Sequence, residues 1–97
     1  MLLLAFMAFG GEALKDGIYA GRAGGHEGPV QVAVVVKDGK ISRVEVTRHK
    51  EKKKKAIKTV ARRILAEQSV KVDAVSGATY SSEAVMAAVK DALRQAH

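Results

Sequence analysis

Val30-Gln31-Val32-Ala33-Val34-Val35-Val36-Lys37-Asp38-Gly39-Lys40-Ile41-Ser42-Arg43-Val44-Glu45-Val46-Thr47 reads as two strands joined by a turn. Both arms are rich in β-branched residues, and Asp-Gly between such arms is a hairpin signal. The register can be argued from the side chains. A two-residue Asp38-Gly39 turn pairs Val32 with Glu45 and Val34 with Arg43, which mixes apolar and charged groups on one face. A turn with Gly39 left-handed in a G1 bulge pairs Val36 with Lys40, Val34 with Ser42, Val32 with Val44 and Val30 with Val46. A buried face specifies register strongly, so the bulged turn is the expected one.

Working outward, Tyr19 to Ala23 reads as a first short strand, entered through Asp16-Gly17. Gly24-Gly25-His26-Glu27-Gly28-Pro29 reads as a flexible loop. Downstream, Lys52 to Gln68 has helical period, with Ala56, Ile57, Val60, Ala61, Ile64 and Leu65 on one stripe. Val70 to Val75 is a short strand or extended segment. Ser82 to Ala96 reads as a second helix, with Val85, Ala88, Val89, Ala92, Leu93 and Ala96 on its stripe. Ser81 suits its N-cap and Glu83 its first turn. The fold expected is α+β: a small, mostly antiparallel sheet with two main helices packed on one face.

The chain has 97 residues, enough for one domain that buries roughly 60% of its unfolded surface. Trp is absent and only four residues are aromatic, so the core falls to Val, Ile, Leu and Ala. Cysteine is absent, which excludes disulfides, cysteine-ligated zinc, iron–sulfur clusters and thiol catalysis. The net charge of +7 favours anionic partners. Leu2 to Phe9 is an apolar run too short to span a bilayer. Followed by Gly11 and Ala13, it resembles a signal-peptide core or anchor remnant, although a basic n-region is missing. The expected organisation is a leader or anchor over 1–13 and a domain over 14–97, with an extracytoplasmic or membrane-associated location.

The chemistry concentrates in Val72-Asp73-Ala74-Val75-Ser76-Gly77-Ala78-Thr79-Tyr80-Ser81-Ser82. Gly77 permits a left-handed turn. Thr79, Ser81 and Ser82 put hydroxyls around a helix N-terminus, where unpaired amides and the dipole favour a phosphate. Plain helix capping by Ser/Thr is the alternative that these residues leave open.

Asp73-Ala-Val-Ser-Gly-Ala-Thr79 resembles the flavinylation motif of the FMN-binding domain family. That family includes the covalent-flavin subunits of sodium-pumping NADH:quinone reductase and of Rnf complexes. The resemblance extends to Asp16-Gly-Ile-Tyr19, Gly28-Pro-Val30, Asp38-Gly-Lys-Ile41, Val44-Glu-Val46 and Gln68-Ser69, and so covers about residues 15 to 95. It implies FMN joined by a phosphoester to the motif threonine, here Thr79, by a magnesium-dependent flavin transferase that uses FAD. It implies that Asp73 is the acidic residue the transferase requires. It also implies that Ser76, Gly77 and Ala78 form the turn presenting the hydroxyl. Ser81 and Ser82 are then expected to donate hydrogen bonds to the phosphate, and Tyr80 to stack on the flavin or pack beneath it. The segment His49-Lys50-Glu51 departs from the pattern, because Lys52-Lys53-Lys54-Lys55 stands where relatives have a Thr-Pro-Gly-like turn. The ring is therefore expected to be more exposed here.

Other residues carry less. His26, in the glycine-rich loop, either borders the ring or is simply solvated. His26 and His49 lack carboxylates at metal-ligand spacing, so no metal site is expected. Six lysines fall between Lys50 and Lys58. They either form a solvated helix face or dock an acidic redox partner or membrane surface. No stacking platform or helix-turn-helix accompanies them, which argues against nucleic acid. No catalytic constellation is recognisable. The expectation is an FMN electron-transfer module served by redox partner proteins. Non-covalent FMN binding and a basic adaptor or nucleic-acid module without flavin are the alternatives.

Overall fold

The computed structural model describes residues 14–25 and 27–96. The possible leader over 1–13, and with it His26 and His97, lies outside the described residues. Three strands, β1 (Gly17–Gly24), β2 (Pro29–Lys37) and β3 (Lys40–Arg48), form an antiparallel sheet in that order. Two helices follow, α1 (Lys54–Glu67) and α2 (Thr79–Leu93), and a 3₁₀ turn over Arg94–Ala96 closes the chain. The domain is α+β, as expected. Val70 to Val75 forms no strand among the described residues.

The hairpin register corrects the expectation. Asp38 and Gly39 are both left-handed, with φ of 55° and 76°, as a type I′ turn requires. Lys37 pairs with Lys40 and Val36 with Ile41, so the turn is the two-residue kind. The extra residue sits in the strand instead. The register shifts between Val35 and Val36, and Val34 then faces Val44 and Val32 faces Val46. Ile41 and Val44 lie three apart, and a regular pleat would send them to opposite faces. The bulge keeps Ile41, Val44 and Val46 all on the core side. A fully buried valine is stabilised by roughly 1.5–3 kcal/mol, whereas a ladder hydrogen bond contributes about 0.5–1.5 kcal/mol. Even half-buried, the two valines outweigh the bond lost at the bulge. The rule that burial dictates register holds, with the irregularity inside the strand rather than at the turn.

Val30, Val32, Val34 and Val36 are fully buried beneath the helices. Helix α2 crosses β1 and β2, while α1 packs against β3 and α2. The expected stripe of α2 is buried from Val85 to Ala96. Its small residues allow a close approach at Gly21, where a Cβ would stand 2.1 Å from the Ala88 carbonyl oxygen. The outer edge of β1 is covered by the same helix: Arg22 N–H donates to Asp91 Oδ2 (3.0 Å), and Gln95 Nε2 donates to the Ala20 carbonyl (2.8 Å). At the opposite edge, the Gln68 side chain mimics a strand. Its Nε2 donates to the Ile41 carbonyl and its Oε1 accepts from Ile41 N–H, both at 2.8 Å. Two unpaired edges are thereby blunted locally. Among the described residues no helix is long and apolar enough to cross a membrane.

Candidate functional site

The motif segment is held in place before it is exposed. Val70, Val72 and Val75 pack on the core. Arg63 Nη1 donates to the Asp73 carbonyl at 2.7 Å, tying the segment to α1. Ala78 N–H donates to the Val75 carbonyl at 2.9 Å, closing a four-residue turn. Gly77 occupies its third position with φ of 81°, the left-handed conformation that a type II turn reserves for glycine. Space is open around Gly77, so its backbone angle rather than crowding excludes a side chain.

Helix α2 then begins at Thr79, three residues earlier than expected, with Ala78 as N-cap. Ser81 is therefore not the cap, and Glu83 lies beyond the first turn. The reason is burial. Ser81 and Ser82 point inward, at 7% and 0% exposure. Ser82 Oγ donates to the Ala78 carbonyl (2.7 Å) and accepts from Val75 N–H (3.0 Å), bracing the turn from within the helix. Ser81 Oγ donates to Glu51 Oε1 at 2.7 Å. Both hydroxyl protons are thus directed to protein acceptors, rather than outward as expected for a phosphate contact. The first turn of α2 has no side-chain cap and no acidic residue. Its amide end and dipole favour an anion there.

Glu51 is the residue that sequence reasoning passed over. It is 2% exposed, and carboxylates are rarely buried unless bonded. Beyond Ser81, its Oε2 accepts from Glu27 N–H at 2.8 Å. Gly25 N–H donates to the Gly28 carbonyl at 2.8 Å, folding the glycine-rich loop over this carboxylate. A Cβ on Gly25 would meet the Gly28 oxygen at 2.8 Å and Glu51 Cδ at 3.1 Å. One carboxylate thus joins the loop after β1, the segment after β3 and the start of α2. A glutamate flanked by five lysines looks solvated in sequence. The only available hint was its place in the family-like His49-Lys50-Glu51 segment.

These parts enclose a cleft of about 360 Å³. Glu27 lines it from the loop, Lys52 and Lys53 from the segment before α1, and Gly77 to Ser81 from the turn and first turn of α2. Of the expected residues, Gly77, Ala78, Thr79, Tyr80 and Ser81 line it. Asp73 and Ser76 are exposed outside the lining, and Ser82 is buried behind it. Thr79 is exposed, and Tyr80 beside it is 73% exposed. A larger groove of about 530 Å³ runs between β3 and α1. Its lining includes Val44, Ile57 and Leu65 with Lys54, Lys58 and Arg62, and it holds none of the motif residues.

The α+β domain thus exposes Thr79 at a helix end with no side-chain cap, with Lys52 and Lys53 lining the same cleft, an environment whose charge suits an anion. The model of the FMN-binding domain matches residues 25–94, and the chain belongs to that family. It is also 38% identical, over 85 residues, to an uncharacterised protein of Treponema pallidum (strain Nichols). That match covers 84% of this chain and 24% of the relative, so the chain spans about a quarter of that protein's length. The module is a flavoprotein module and FMN is its cofactor. The residues present fit the phosphate end of FMN, with two lysines and a positive helix end around the Thr79 hydroxyl. The cleft volume falls within the usual range of about 300–1,000 Å³ for small-ligand sites.

Proposed function

We propose that FMN is joined through its phosphate to Thr79 Oγ and that the module carries electrons. The observation that carries this is the position of Thr79. Its side chain is exposed at a cleft, on a helix turn braced from inside by Ser82 and Glu51. Attachment forms the bond from Thr79 Oγ to the FMN phosphorus of FAD, breaks the pyrophosphate linkage, releases AMP and frees the hydroxyl proton. A flavin transferase supplies the catalysis, with Asp73 exposed for its recognition. FMN, once bound, supplies the redox chemistry. The chain would hold the phosphate at the braced start of α2, with Tyr80 exposed at the lip of the cleft. The net charge of +7 supports acidic redox partners and association with an anionic membrane surface, and a location outside the cytoplasm is proposed on the apolar run Leu2 to Phe9 followed by Gly11 and Ala13.

The test is co-expression with a flavin transferase and intact-mass measurement. One FMN less one water is expected on the wild-type chain, and on Ser76→Ala. Thr79→Val is expected to abolish the adduct while leaving the fold unchanged. A wild-type protein that stays unmodified, or releases all its flavin on denaturation, overturns covalent attachment in favour of non-covalent FMN binding.

A further inference from the structure

We propose that Lys52 and Lys53 recognise the phosphoryl group of FMN, and that the other lysines of the same run do not. This rests on the reading that the phosphate sits beside Thr79. The structure sorts a run that looks uniform in sequence. Lys52 and Lys53 line the Thr79 cleft, whereas Lys54 and Lys58 line the separate groove between β3 and α1. Lys52 and Lys53 are exposed, and neither has an ion pair or side-chain hydrogen bond among the described residues. Nothing local uses their charge.

Their backbone is nevertheless held at both ends. Lys52 follows the buried Glu51, and Lys53 is the N-cap of α1, whose carbonyl accepts from Ala56 and Ile57 N–H. Lysine is a poor choice there. It supplies no cap, and cations at a helix start oppose the dipole. That penalty is removed if an anion occupies the cleft. Among the described residues Glu27 is the one carboxylate lining the cleft, and two ammonium groups with the positive end of α2 outweigh it. A lysine ammonium binds phosphate as a point charge and needs no fixed fork, so exposed, mobile side chains suffice.

The test is fluorescence-quench titration of the apo wild-type chain with FMN and, in parallel, with riboflavin, which lacks the phosphate. K52Q/K53Q is expected to weaken FMN binding roughly tenfold, about 0.7 kcal/mol per charge, within the range for exposed ion pairs. Riboflavin binding should be unchanged. K52R/K53R keeps the charge and should bind FMN within about twofold of wild type. K54Q/K55Q removes the same net charge outside the cleft and should also stay within about twofold. An equal loss in K54Q/K55Q, an equal loss for riboflavin, or no measurable FMN binding by wild type overturns the proposal. Failure of the attachment reading is distinguishable. There, the mass adduct on Thr79 is absent while the lysine-dependent preference for FMN over riboflavin persists.

Discussion

The two helices solve different problems. Helix α2 is buried along most of its length, including Ser81, Ser82, Val85, Val89 and Leu93, and it touches β1 so closely that only glycine fits at position 21. Helix α1 buries just Ala56, Ile57, Val60 and Ile64 and turns a row of cations outward. The difference separates a tightly packed helix from one that keeps a charged, open face. The helix that presents Thr79 is locked by contacts that tolerate little change. The segment leading into the other helix supplies charge, which acts over distance and needs no exact placement.

Gly21→Ala should break the contrast most severely. The added Cβ would lie 2.1 Å from Ala88 O and 2.5 Å from Ala92 N, and backbone atoms cannot give way as a side chain end can. A loss of roughly 3 kcal/mol or more is expected in urea-unfolding equilibria, with α2 displaced from the sheet. Glu51→Ala should follow at about 2–3 kcal/mol. It strands the buried Ser81 hydroxyl and the Glu27 N–H together, and hydrogen exchange should rise in the loop over 25–28 and at the start of α2. Ser82→Ala should cost about 1–2 kcal/mol in the same unfolding measurement, because Val75 N–H loses its acceptor and the turn over 75–78 loosens. Lys58→Gln, at an exposed position in the groove between β3 and α1, should sit within about 0.5 kcal/mol of wild type. Should Lys58→Gln destabilise as much as Ser82→Ala, the claim that α1 is the permissive helix fails.

Much of the fold was legible because the period of apolar residues is a local property. The stripes of Ala56 to Leu65 and Val85 to Ala96, and the two valine-rich strands, follow from it. The hairpin was legible in kind but not in register, since both a bulged turn and a bulge at Ser42 bury Val44 and Val46, and only the bulge in the strand buries Ile41 with them. Thr79 and its glycine turn could be found because their spacing is local too. Glu51 could not, because its carboxylate is satisfied by Ser81, thirty positions later, and by Glu27, twenty-four earlier.

The amino-acid order by itself determined the elements, their apolar faces and the glycine turn that leads into Thr79, because each depends on neighbours a few residues apart. Only the tertiary structure decided which serines turn inward, which lysines face the cleft and which glutamate joins three segments. Those outcomes depend on what distant parts of the chain bring within hydrogen-bond reach, and on the cost of leaving a buried polar atom without a partner.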